Sequence, residues 1–285
     1  NYRIMDSIEP KAWLNIHTQA CDFSTGKELI SPKHKIRAPE IAVLASLGVT
    51  DPLVFLPPSI ALITTGSELV DVHETPLAHQ IRKSNIHAAA ANLKSQGFSN
   101  LTTYHIQDDL EQTTKGLEKC LEQHDVLILS GGVSKGKLDF VPEALKNLGV
   151  EKVFHRIAQK PGKPMWFGKK GNQCVYALPG NPISLLVCLT RYVIPALLEH
   201  VSETPKAMFH LPLAETFKPK GKLNLLSPVT LIDDPAFGLA AQKVSNHGSG
   251  DYASLTLSSG FVELAAREEA YEKGEFVPYY PWESN

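Results

Sequence analysis

Between Ser59 and about Glu203, short apolar runs alternate with longer amphipathic stretches, and no other feature constrains the fold of this chain as strongly. Ile60 to Thr64, Leu101 to His105, Asp125 to Ser130, Val153 to Ile157 and Val175 to Leu178 read as strands. Within the run ending at Ser130, Val126 to Leu129 are all apolar, as expected of a strand covered on both faces. Between the runs lie predicted helices. One spans Ser84 to Gly97, capped by Ser84 or Asn85 and stopped by the glycine. Others run from Leu110 to about Glu122, from Phe140 to Leu148, and from Ile183 to about His200. Strands separated by helices in this way predict βαβ units and a parallel sheet.

The flanks differ in texture. Residues 1–57 are mixed, with a turn at Ser24 to Lys27, short extended pieces, and a helix from Ala38 that stops at Gly48. Pro57 and Pro58 break the chain. After Pro205 come short β-rich runs, Leu223 to Leu226, Gly260 to Leu264 and Glu275 to Tyr279, with no long helix. The expected class is α/β. A three-layer α/β/α middle domain with a mostly parallel sheet (58–204) follows a partial mixed α+β region (1–57) and precedes a small C-terminal β-barrel domain (205–285).

Charge and cysteine usage exclude some functions. Lysine and arginine total 28 against 30 aspartates and glutamates, which argues against a general nucleic-acid binder but leaves room for a local basic pocket. No apolar run approaches the roughly 20 residues that span a bilayer, and the start of the chain has no signal-peptide pattern. The absence of an initiating Met suggests that the start of a longer protein is missing. Cys21, Cys120, Cys174 and Cys188 are widely spaced and the 11 histidines scattered, so disulfides and histidine metal sites are not expected and a cytoplasmic setting is.

Loops that follow parallel strands share one edge of a sheet, the edge where open α/β folds bind ligands. Four such loops are Thr65-Gly66-Ser67-Glu68, the segment with Asp108 and Asp109, the loop from Ser130 through Gly131, Gly132, Ser134 and Gly136 to Asp139, and Pro179-Gly180-Asn181-Pro182 leading to Ser184. Glycines let a backbone approach a phosphate, and carboxylates beside them suit a divalent cation such as Mg²⁺. Each acid taken singly reads first as an N-cap or a solvated side chain, and only their joint placement at strand ends favours a metal; the glycine loop taken alone reads equally as a surface turn. A fifth feature is Lys160-Pro161-Gly162-Lys163-Pro164, two cationic point charges in a rigid frame; it suits phosphate or oxyanion contact, or an exposed turn.

Together, Thr65 to Leu69, Ser130 to Ser134 with Gly136 and Asp139, Lys160 to Pro164 and Leu178 to Ser184 resemble the molybdopterin molybdenumtransferase family, which includes the bacterial MoeA proteins and the gephyrin E domain. The resemblance covers nearly the whole chain and is strongest from Ile60 to Leu198. It implies molybdenum cofactor biosynthesis: insertion of molybdenum from molybdate into adenylylated molybdopterin, release of AMP, and assistance from Mg²⁺. By motif match, Glu68, Asp109 and Asp139 would stand near metal and nucleotide, with Asp108 the adjacent candidate. Lys160 and Lys163 would meet molybdate or phosphate oxygens. Thr65, Gly66, Ser130, Gly131, Gly132, Ser134, Gly136, Pro179, Gly180, Asn181, Pro182 and Ser184 would cradle the pterin nucleotide.

The resemblance also implies a homodimer, a molybdopterin adenylyltransferase as a possible partner, no nucleic acid and no membrane. Residues 1–57 would then be the remnant of two elongated family domains, with roughly a hundred residues preceding Asn1 in a typical member. Three departures stand out. Lys135 and Lys137 make the glycine loop basic, Lys83 stands where the family commonly has an acid, and Ala20 takes a family glycine position two before Asp22. The competing expectations are a molybdopterin adenylyltransferase-like or pyridine-nucleotide-processing enzyme on the same middle fold, and a non-catalytic scaffold with a peptide groove.

Overall fold

The structure, a computed structural model, describes residues 12–13, 16–133, 140–201, 209–219, 221–245 and 248–283. The chain forms two compact units, 1–54 and 55–285.

In the first unit, helix α1 (Ala38–Ser46) has Pro39 in its first turn, and Gly48 lies just past its end at φ 73°. Glu40 accepts from the Arg37 backbone N–H at 2.8 Å, from its guanidinium at 3.1 Å, and meets His34 Nε2 at 2.9 Å. The Arg37 side chain, then His34, hold the Glu40 carboxyl down at about 2. No strand forms among the described residues of this unit, where extended pieces were expected; the segments around α1 are turns instead.

The second unit opens with β1 (Ile60–Thr65), β2 (Leu69–Val70), β3 (Ile81–Arg82), α2 (Ser84–Ser95), β4 (Leu101–Ile106), α3 (Leu110–Gln123), β5 (Val126–Ser130) and α4 (Val141–Asn147). It continues with β6 (Glu151–His155), β7 (Gln159–Lys160), β8 (Trp166–Lys170), β9 (Gln173–Leu178), α5 (Pro182–Cys188), a π-helical turn (Leu189–Val193) and α6 (Ile194–Val201). Then come β10 (Phe209–Pro212), β11 (Asn224–Asp234), β12 (Gly238–Lys243), α7 (Tyr252–Thr256), β13 (Gly260–Leu264) and β14 (Phe276–Pro281).

The first sheet runs β4-β1-β5-β9-β8-β6. β4, β1, β5 and β9 are parallel, and β8 and β6 extend the sheet antiparallel. Alternation within each central strand builds two cores. Ile60, Leu62, Val126 and Ile128 face Ile86 and Leu93 of α2 and Leu185 and Ile194 of α5 and α6. Ala61, Ile63, Leu127 and Leu129 face Leu117 of α3 and Ala144 and Leu145 of α4. Each fully buried leucine or isoleucine contributes about 1.5–3 kcal/mol of transfer free energy, so both helical layers are fixed to the sheet. This is the expected three-layer α/β/α arrangement.

The π turn joins α5 and α6 into one helical run, Pro182–Val201, of 20 residues with mean hydropathy 1.5. An apolar segment of spanning length is therefore present, contrary to the expectation. Its buried side chains pack in the core, and mid-run Arg191 pairs with Glu263 of β13 at 2.7 Å.

The second sheet is antiparallel, ordered β10-β14-β13-β11-β12. An isolated bridge, Leu213 to Ala241, brings the chain after β10 against β12; a closed barrel ladder is not formed among the described residues. The two sheets belong to one unit because β7 leaves the first region and pairs in parallel with β11. The sequence divided the chain after residue 57 and again after 204; the compact units divide after Val54, and β7 stitches the later two regions together.

Candidate functional site

The chain runs from β1 outward to β4, then back across β1 to β5, so the strand order reverses between the ends of β1 and β5. At such a point the loops diverge and leave a crevice. The Thr65–Glu68 loop follows β1, Asp108 and Asp109 follow β4, the Ser130 loop follows β5, and the Pro179–Pro182 turn follows β9. All four expected loops therefore share one edge. The lysine-proline frame joins them because it precedes β8, which runs antiparallel to β9: Trp166, at the start of β8, lies opposite Ala177 near the end of β9.

Three of the loops touch. The Asn85 side-chain amide, on α2, donates to Ser130 Oγ at 3.2 Å and to the Gly180 carbonyl at 2.5 Å. The Gly131 N–H donates to the Leu178 carbonyl at 3.0 Å. The glycines are there for closeness. A Cβ on Gly132, at φ 71°, would stand 2.5 Å from Val141 Cγ2 and 3.0 Å from Thr65 Oγ1; one on Gly180 would sit 3.7 Å from the Gly131 Cα. Thr65 is 6% exposed, yet its hydroxyl has no hydrogen-bond partner among the described residues, and the same holds for Asn85 Oδ1. Two unpartnered polar atoms beside a double glycine are what a ligand-reading crevice presents.

The acidic residues divide. The Glu68 carboxylate folds back over Gly66, where a Cβ would meet it at 2.7 Å. Asp108 Oδ2 accepts from the Ser67 N–H at 3.2 Å. Glu68 and Asp108 thus flank the Gly66–Ser67 turn. Asp109 instead caps α3, accepting from the Gln112 N–H at 2.9 Å. Lys83 pairs with Asp71 at 3.3 Å. Ser134, Lys135, Gly136, Lys137 and Asp139 lie outside the described residues.

The lysine-proline frame borders a cavity of about 570 Å³. Lys160, Lys163, Pro179, Asn181 and Ser184 line one side; Leu223, Leu225, Leu226 and Ser227 of the second sheet's region line the other, with Ser249. Lys160 and Lys163 supply the cavity's charged groups among the described residues. The frame is held from below. Buried Gln159 donates to the Pro161 carbonyl at 2.9 Å and accepts from the Tyr192 hydroxyl, while Gly162, at φ 94°, leaves the room that a Cβ would take from Gln159 and Cys188. Across the cavity mouth, Asn181 Nδ2 donates to Ser249 Oγ at 2.8 Å and Ile183 N–H to the Ser249 carbonyl at 3.1 Å. Of the expected contacts, Pro182 begins α5 and is buried in its first turn.

Sequence reasoning treated Asn85 only as a cap, placed Gln159 at the head of the lysine-proline frame without a role, and did not single out Ser249. Asn85 carried a signal, an amide beside the expected cap of a helix that opens at the site edge. Ser249 carried none, since it reaches the cavity only through the packing of the second sheet on α5.

Two domain families match the chain: one described as "Probable molybdopterin binding domain" over residues 61–199, the other as "MoeA C-terminal region (domain IV)" over residues 210–282. A molybdopterin molybdenumtransferase of Synechocystis is 37% identical over 269 residues, covering 94% of this chain and 66% of that protein. The enzyme of the same name from Staphylococcus epidermidis is 33% identical over 183 residues, covering 64% and 43%. The crystal structure of the molybdopterin biosynthesis MoeA protein from Pyrococcus horikosii superposes with a TM-score of 0.75 at 27% identity, over 88% of this chain and 61% of that one. The chain thus spans somewhat under two thirds of the first of these relatives and under half of the second.

Proposed function

The chain belongs to the molybdopterin molybdenumtransferase family, and from that premise we propose that it acts in molybdenum cofactor biosynthesis, inserting molybdenum from molybdate into adenylylated molybdopterin with release of AMP. The observation that carries this reading is the cavity beside the Pro179–Pro182 turn, whose charged lining groups among the described residues are Lys160 and Lys163. A concave site with two cations suits an oxyanion.

The residues divide the work. The Thr65–Gly66 turn, Ser130, Gly131, Gly132 and Gly180 hold the pterin nucleotide by backbone approach, with the free oxygen of Thr65 and the amide oxygen of Asn85 available to read its edge. Lys160 and Lys163 bring molybdate in and hold its charge while the dithiolene sulfurs approach. The chemistry asks for proximity and charge neutralisation more than for a covalent intermediate.

Glu68 and Asp108 offer hard oxygen donors on either side of the Gly66–Ser67 turn, a donor set that fits Mg²⁺ with waters completing its shell. Asp109 and Asp139 are the other two donors expected beside Glu68, and Asp109 would reach the ion only by yielding its cap on α3. Bound there, Mg²⁺ would neutralise diphosphate charge. The reading includes a homodimer and receipt of substrate from a molybdopterin adenylyltransferase.

The test supplies the chain with adenylylated molybdopterin, Mg²⁺ and molybdate, and measures AMP release alongside equilibrium binding of molybdate. Lys160→Ala and Lys163→Ala should each raise the molybdate half-saturation by about tenfold, the loss of one charge-assisted contact. Unchanged molybdate binding in both variants would remove the lysines from the anion site. ATP consumption to adenylylate molybdopterin would favour the adenylyltransferase reading. A stoichiometric peptide partner with no molybdate-dependent turnover would favour a scaffold.

A further inference from the structure

His17, Cys21 and Asp22 meet at the surface of the first unit, and nothing in the reaction proposed above uses them together. His17 Nδ1 lies 3.2 Å from Cys21 Sγ and 3.6 Å from Asp22 Oδ2. One donor atom from each residue falls within 4.8 Å of the other two. In a tetrahedral zinc site with bonds of about 2.0–2.3 Å, ligand atoms stand about 3.3–3.7 Å apart. The 3.6 Å separation falls on such an edge, and the 3.2 Å separation is slightly shorter than one.

We propose that this turn is a site for a borderline transition-metal ion of the Zn²⁺ class, held by His17 Nδ1, Cys21 Sγ and Asp22 Oδ2, with the fourth position open to water. The donor set carries the choice of ion. A thiolate and an imidazole nitrogen disfavour Mg²⁺ and Ca²⁺, which take oxygen, and favour Zn²⁺ or Co²⁺. A bare hydrogen-bonded cluster explains the geometry less well. Nδ1 holds at most one proton, yet both the thiol sulfur and the carboxylate oxygen turn toward that single atom. A cation at their centre would satisfy all three.

The backbone assembles the cluster locally. The Cys21 N–H donates to the Thr18 carbonyl at 3.1 Å, closing a turn, and Ala20 adopts φ 66°. That left-handed residue reverses the chain just before Cys21 and Asp22, so that two neighbours and a histidine four residues back converge. The side chains of His17 and Asp22 are 82% and 69% exposed, which leaves the site open to ions from solution. It escaped the sequence reading because it contains neither a His–His nor a Cys–Cys pair.

The test uses the whole chain, stripped with a chelator and titrated with Co²⁺. One Co²⁺ per chain should bind with a thiolate-to-cobalt charge-transfer band and the strong d–d absorption of four-coordinate cobalt, and Zn²⁺ should bleach both. Cys21→Ser should abolish the charge-transfer band, and His17→Ala and Asp22→Asn should each weaken binding by about tenfold or more. The substitutions lie in an exposed turn, and an unchanged far-UV circular dichroism spectrum would verify the fold. Alkylation gives an independent readout: Zn²⁺ should slow labelling of Cys21 while leaving Cys174 unaffected. No charge-transfer band, a band that survives Cys21→Ser, or Cys21 labelling indifferent to Zn²⁺ would each reduce the cluster to a hydrogen-bonded turn.

Discussion

The Asn85 side-chain amide donates to the carbonyl of Gly180, 95 positions further along the chain, and to Ser130 Oγ. One amide therefore sets the spacing between the loops after β5 and β9. Asn85→Ala should cost about 0.5–1.5 kcal/mol, the net worth of a hydrogen bond, because the exposed Gly180 carbonyl can turn to water. The urea midpoint should fall with an unchanged slope, and nucleotide affinity should fall with it. Asn85→Asp keeps the shape and loses the donor. If it bound nucleotide like the parent, the amide would not position the loops.

Asp108 and Asp109 are adjacent and do different work. Asp109 caps α3, so Asp109→Ala should lower stability by about 1 kcal/mol. Asp108 holds the Ser67 N–H beside Glu68, and Asp108→Asn should weaken Mn²⁺ binding, followed by electron paramagnetic resonance, with less effect on thermal stability. The reverse pattern would return the metal role to Asp109.

Gly132 and Gly149 separate crowding from backbone strain. Both have positive φ, 71° and 75°, but a Cβ on Gly149 would meet nothing within 4 Å, whereas one on Gly132 would strike Val141 and crowd Thr65. Gly149→Ala should cost about 1–2 kcal/mol for the left-handed conformation alone. Gly132→Ala should add about 1–3 kcal/mol of overpacking and close the crevice to ligand. Thermal denaturation and nucleotide titration of the two variants make the comparison.

The middle of the fold was legible because strands buried on both faces, such as β1 and β5, advertise themselves as unbroken apolar runs bounded by glycine loops. From their parallel order, the shared edge of the four loops followed. Asp109 shows where that reasoning stopped: an acid just before a helix is both a cap and a candidate ligand, and only the Gln112 N–H decides which contact it makes. The far wall of the cavity was not legible, because Leu226 and Ser249 reach it through sheet packing that leaves no periodic mark. Ala20 was visible as a departure from the family glycine. Its φ of 66° gives the physical reason for glycine at that position.

The four cysteines should react in an order set by burial. Burial pushes the Cys188 thiol up to about 12 and the Cys120 thiol up to about 11, while Cys21 is exposed and Cys174 intermediate. Since the thiolate is the nucleophile, metal-free native protein at mildly alkaline pH should alkylate at Cys21 first and Cys174 more slowly. Cys120 and Cys188 should label only on unfolding. Mass spectrometry of timed, trypsin-digested samples would read this directly, and early labelling of Cys188 would show that the helix behind the lysine frame opens in the native state.

His124 closes α3 against the sheet, with Nε2 2.8 Å from the Tyr104 hydroxyl and Nδ1 without a partner among the described residues. Burial lowers its pKa, and the neighbouring Asp125 offsets this only in part. The unfolded chain, with an ordinary histidine near 6.5, therefore binds a proton that the folded chain resists. The stability associated with neutral His124 is fully present above that value and is lost as pH falls through 6.5 toward the lower folded pKa. Urea midpoints measured from about pH 5 to about pH 8 should decline on the acidic side for the parent chain. In His124→Phe, which keeps an aromatic ring against Tyr104, the baseline should drop through loss of the hydroxyl's partner while the acidic decline flattens. An identical pH slope in both proteins would place the acid-sensitive group elsewhere.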